Sequence, residues 1–75
     1  MSTIDLNRLR LFARVVEAGS FTAAARDAGL PKSSVSRALA ALERELAVRL
    51  IHRTTRRLHP TEAGRAYYES VSRAL

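Results

Sequence analysis

Apolar positions recur at helical spacing in three stretches of this chain, separated only by Gly19-Ser20 and Gly29-Leu30-Pro31. In the first, residues 5–18, Leu6, Leu9, Ala13 and Val16 share one face, Phe12 widens it and Gly19 ends it. Leu11 and Val15 fall outside that stripe. They read either as a second contact surface or as scattered surface apolars, which are common. Ser20 suits the N-cap of a second helix over 21–28, where Ala24, Ala25 and Ala28 lie on one stripe. Gly29 can take the positive φ that ends a helix at little cost, and Leu30 is expected to plug the turn.

A third helix is predicted over 32–46. Pro31 can precede it but offers no capping oxygen. Ser33 is the alternative cap; the longer version keeps Lys32 and Ser33 at the exposed mouth of the helix. Val35, Ala38, Leu39 and Leu42 fall within an arc of about 100°, the width of a core-facing stripe. The opposite face carries Ser33, Arg37, Ala40 and Arg44, and is polar, short on bulk and basic. Two helices crossing on small residues through a tight turn predict a helix-turn-helix, with the third helix shaped to enter a major groove.

After Glu45 the pattern changes. Leu50-Ile51-His52-Arg53 and Leu58-His59-Pro60 read as short strands around Thr54-Thr55-Arg56-Arg57, a small β-hairpin with an Arg-rich tip. Pro60 is tolerated there because a two-stranded ribbon is all edge. Thr61 then caps a last helix, with Glu62 favourable in its first turn. Its apolar positions are Ala63, Tyr67, Val71, Ala74 and Leu75, and the pattern stops without a C-cap, as if the helix continued.

Composition narrows the chemistry. Seventy-five residues make one small domain with a modest core. Lys plus Arg number 13 against 7 Asp plus Glu, and Lys32 is the sole lysine, so the excess is almost all arginine. Arginine presents a rigid donor fork to phosphate and guanine, a bias toward nucleic acid. The chain has no cysteine, which excludes disulfides and thiolate metal sites. No apolar run approaches the ~20 residues of a membrane span, and early charges argue against a signal peptide, so a cytoplasmic location is expected. His52 and His59 would face each other across the hairpin, but two imidazoles are half a metal site and no acidic or thiol ligand completes it. No Ser/His/Asp set, carboxylate pair or phosphate-cradling glycine loop is present. Neither a metal, nor a cofactor in this piece, nor catalysis is expected.

The stretches LNRLRLFARVVEAGSFTAAA and LPKSSVSRALAALERELAVRLIHRTTRRLHPTEAG cover nearly all of residues 6–64. In order and without gaps, they resemble the N-terminal DNA-binding domain of LysR-type transcriptional regulators. The resemblance implies a mainly α fold: a winged helix-turn-helix with a three-helix core, a small two-stranded β wing and a C-terminal linker helix. On that pattern residues 1–60 are the DNA-binding domain and 61–75 begin a dimerising helix. A larger effector-binding domain, where a small-molecule inducer would bind, normally follows, so the chain reads as part of a longer protein.

The resemblance also assigns roles. By position, Lys32, Ser33, Ser36 and Arg37 take the family's base-reading places. Many members carry Ser-Gln-Pro-Ala at the start of that helix, where this chain has Pro31, Lys32, Ser33 and Ser34. Glutamine prefers adenine and lysine prefers guanine, so the operator read here should differ accordingly. Arg53 and Thr54 match the wing motif, and Arg56 and Arg57 extend it toward backbone or minor-groove contacts. Thr22 and Ser34 are placed for phosphate, Ser34 equally for a local N-terminal hydrogen bond. Tyr67, Tyr68, Val71, Ala74 and Leu75 are the expected dimer surface. The partners implied are a pseudo-palindromic DNA duplex and a second copy of the chain, with a tetramer for the full-length protein and no membrane. Two other classes compete: a module whose basic surface meets an acidic protein, and a single-strand or RNA binder. The last is weak, because base stacking needs exposed aromatics and Phe12 and Phe21 read as buried.

Overall fold

The computed structural model describes residues 5–53 and 58–74. Four helices and two short strands follow in the order α1 (Leu6–Ala18), α2 (Phe21–Ala28), α3 (Lys32–Leu46), β1 (Ile51–His52), β2 (His59–Pro60) and α4 (Glu62–Ala74). β1 and β2 pair antiparallel, Ile51 opposite Pro60 and His52 opposite His59. This is a winged helix-turn-helix, with α2 and α3 as the helix-turn-helix and the strand pair as the wing. Among the described residues no helix is long and apolar enough to cross a membrane.

Local chemistry sets the boundaries. Asp5 Oδ1 accepts the Asn7 N–H at 2.9 Å and Ser20 Oγ accepts the Ala23 N–H at 3.1 Å, each satisfying an orphan donor of a first turn. Gly29 ends α2 at φ 70°, and the next N–H, of Leu30, returns to Ala25 O at 2.9 Å. Pro31 stands before α3 without a side-chain cap, and its carbonyl takes the Ser34 N–H at 3.0 Å. The longer third helix is the one that forms.

One core joins α1, α2, α3 and the start of β1, with α4 packed against it through Tyr67 and Tyr68. Phe12, Val15, Ala24, Ala25, Val35, Leu39, Leu42, Leu50 and Ile51 form a single buried cluster. Four expectations are corrected by it. Val15 is fully buried rather than a second surface, because α1 packs against α2, α3 and α4 together and its buried arc is wide. Leu11 is half-buried on the edge of the same cluster. Leu6, expected on the core face, is 64% exposed at the open first turn of α1. Leu30 is 41% exposed, so the turn closes by backbone hydrogen bonds and not by an apolar plug.

The fourth helix also differs in part. It lies against α1, where Val71 is 7% exposed and Tyr67 and Tyr68 are half-buried against the core. The Tyr68 hydroxyl donates to Glu17 Oε2 at 2.9 Å. Much of the stripe expected to meet a second copy is therefore used inside the chain. Ala74 is exposed, and Leu75 lies outside the described residues.

Candidate nucleic-acid interface

On α3 the buried stripe of Val35, Leu39 and Leu42 turns the other face outward. Lys32, Ser33, Ser36 and Arg37 are all exposed there. Ser33 and Arg37 are four apart and stack one turn above the other, and so do Lys32 and Ser36. The four make one compact polar patch, and among the described residues none of their side chains has a hydrogen-bond or ion-pair partner. Ser34 is half-buried beside the patch.

A second feature was not visible as spacing. Gly19, Ser20, Phe21, Thr22, Lys32, Arg53 and Leu58 line a concave niche of about 300 Å³. It joins the first turn of α2, the first turn of α3 and the two ends of the wing. Thr22, Lys32 and Arg53, far apart in sequence, converge on it, and none of its lining residues is acidic. The helix dipole of α2 adds partial positive charge at the same place. Ser33, Ser36 and Arg37 lie outside the niche lining, so the exposed surface has a polar, basic patch on α3 and an adjoining cationic hollow.

Arg53 is less free than the sequence implied. Its Nη1 lies 3.0 Å from Glu43 Oε1, and its guanidinium carbon stands 5.7 Å from the centroid of the Phe21 ring. A guanidinium carries five N–H donors, so one ion pair leaves others for a ligand in the niche.

Glu43 is the residue that sequence reasoning missed. Its side chain is 10% exposed on the flank of the α3 stripe. Besides the Arg53 pair, Oε2 accepts the N–H of Leu50 at 2.8 Å and of Ile51 at 3.2 Å. The available signal was an acidic group bordering the apolar stripe in a domain otherwise dominated by arginine. The expected wing residues Thr54, Arg56 and Arg57 lie outside the described residues. His52 and His59 do face each other, with ring centroids 5.0 Å apart and planes at 52°, and no third His, Cys, Asp or Glu among the described residues groups with them.

Residues 6–65 match the family described as bacterial regulatory helix-turn-helix protein, lysR family. An HTH-type transcriptional regulator of Xanthomonas campestris pv. campestris (strain 8004) is 55% identical over 71 residues, 95% of this chain and 21% of that protein. The HTH-type transcriptional activator AaeR of Escherichia coli (strain K12) is 51% identical over 70 residues, 93% of this chain and 23% of that protein. The chain thus spans about a fifth of the length of these relatives. Among solved structures, the BenM_DBD/catB site 1 DNA complex superimposes with a TM-score of 0.92 at 34% identity, covering 95% of this chain and 79% of that one.

Proposed function

The chain belongs to the lysR family of bacterial regulatory helix-turn-helix proteins, and we propose that it binds double-stranded DNA sequence-specifically as the reading head of a transcription regulator. The observation that carries this is the exposed α3 patch of Lys32, Ser33, Ser36 and Arg37 beside a hollow where Thr22, Lys32 and Arg53 converge. Such a surface has what groove reading requires: donors toward base edges from one helix, and cations toward the flanking phosphates. The similar domain solved in complex with DNA supports DNA binding by this fold.

In this reading Lys32 and Arg37 address guanine edges, and Ser33 and Ser36 address either base through their hydroxyls. Thr22, Ser34 and Arg53 hold the phosphate backbone, while Thr54, Arg56 and Arg57 reach backbone or minor groove. We assign the domain no catalytic role and no cofactor of its own. Its place is the bacterial cytoplasm. The test is selection from random duplexes, followed by competition. A selected duplex should bind roughly a thousandfold or more tightly than scrambled DNA at the same salt. Equal binding would instead favour a basic module for an acidic protein partner.

The protein acts on a pseudo-palindromic site as a homodimer paired around α4. Two reading helices related by a two-fold axis would then stand about one DNA turn, roughly 34 Å, apart. With Val71 buried in its own domain, the contact falls to Ala74, Leu75 and the exposed edges of Tyr67 and Tyr68. Free domains should be mostly monomeric, and a palindromic duplex should load two. Analytical ultracentrifugation checks this, and saturation at one protein per palindrome would overturn it. A tetramer and control by a small-molecule inducer are, on this proposal, properties of a longer protein; the chain spans 21% of the length of the Xanthomonas relative.

A further inference from the structure

The wing cannot hold its own angle. Among the described residues its ladder joins two residue pairs, and an isolated two-stranded hairpin is marginal in water. Its orientation must come from outside the ladder. On the α3 side Leu50 and Ile51 pack in the same buried cluster as Val35, Leu39 and Leu42, and the polar support is one carboxylate. Glu43 Oε2 takes the N–H groups of Leu50 and Ile51, whose side chains are fully buried, and Oε1 pairs with Arg53 just past β1. Arg53 in turn lies over Phe21 at the start of α2. Charge-assisted hydrogen bonds are about twice as strong as neutral ones, and Glu43 is largely shielded from water, so the link is firm. On the other side Thr61 joins α4 to the same strand entry, through its N–H to Leu50 O at 2.9 Å and its hydroxyl to Arg49 O.

We infer that Glu43 is a specificity-determining positioning residue: it fixes the wing relative to the reading helix, so that the wing meets DNA at a set distance from Lys32, Ser33, Ser36 and Arg37. The inference rests on the DNA-binding reading above. Glu43 lies on the flank of α3 two turns beyond Ser36, and its carboxylate is engaged by the wing root and Arg53, so it acts through them. Its removal should therefore weaken binding at the flanks of the site while leaving discrimination at the centre.

Glu43→Gln tests this, because the amide keeps the shape and removes the charge. In the free protein, amide exchange at Leu50 and Ile51 should accelerate at least tenfold while amides within α1–α3 stay within about twofold. On the selected duplex, the salt slope of log K should fall by about 0.9 for each phosphate that the wing no longer neutralises. In a background already carrying Arg53→Ala, Arg56→Ala and Arg57→Ala, Glu43→Gln should add little, since its effect runs through Arg53 and the wing. Full additivity in that cycle, or unchanged exchange at Leu50 and Ile51, would overturn the inference. If Glu43→Gln does not fold, Glu43→Asp, which keeps the charge on a shorter arm, carries the same measurements. A wild-type domain that prefers no duplex would overturn the DNA-binding reading instead, and amide exchange alone would then decide whether Glu43 holds the wing.

Discussion

Gly64→Ala is expected to destabilise the domain by about 3 kcal/mol, although alanine is the better helix former. A Cβ at this position would lie 2.0 Å from Leu50 O, 2.9 Å from Leu50 C and 3.2 Å from Leu50 Cα. All three are backbone atoms, so no side chain can rotate away. Leu50 O also accepts the Thr61 N–H at 2.9 Å, and the Leu50 side chain is fully buried. Moving that carbonyl therefore disturbs the α4 N-terminus and the core together. Overpacking costs about 1–3 kcal/mol and occasionally more, and breaking a hydrogen bond about 1 kcal/mol. The helix-propensity gain of alanine over glycine, about 1 kcal/mol, offsets only part of this. For a domain of this size the change corresponds to a fall of roughly 15 °C in Tm. Urea unfolding of the two proteins checks it. An unchanged midpoint would mean that the chain entering β1 yields freely to α4.

That close approach marks the boundary of what the sequence could disclose. Helix starts and stops were legible because they depend on residues a few places apart: Ser20, Gly19, Gly29 and Thr61 each act on their own turn. The outward face of α3 was legible for the same reason, since a helical period of apolar residues defines its opposite side. Contacts between distant segments were not. Val15 and the wing-root pair Leu50 and Ile51 join the core only once α1, α3 and the strand entry are brought together. The end of α3 carries no glycine; Ala47 takes φ 57° there, and the N–H of Val48 returns to Glu43 O at 3.2 Å. An alanine in that conformation gives no local signal, because alanine ordinarily avoids positive φ; here the exposed Ala47 adopts it with local hydrogen bonds closing the helix end. Glu43 and the convergence of Thr22, Lys32 and Arg53 were hidden as Val15 was. Both exist only as meetings of three elements.

Arg37→Ala should abolish discrimination more than it weakens general affinity. Arg37 is exposed, one turn beyond Ser33, and has no ion pair or hydrogen bond among the described residues. Its removal uncovers no core, so stability should stay within about 0.5 kcal/mol of wild type. A bidentate arginine–guanine contact is worth about 1–3 kcal/mol of discrimination, roughly tenfold to a hundredfold in relative affinity. A phosphate contact, by contrast, contributes alike on every sequence and is read in the salt slope. The two roles therefore separate when the variant is titrated on the selected duplex and on a scrambled one at a single salt concentration. The expected result is a loss of tenfold or more on the selected duplex against a much smaller loss on the scrambled one. Arg37→Lys should recover the general affinity without the discrimination, since an ammonium keeps the charge but not the planar fork. Equal losses on both duplexes would show that Arg37 touches only phosphate, and base reading would then rest on Lys32, Ser33 and Ser36.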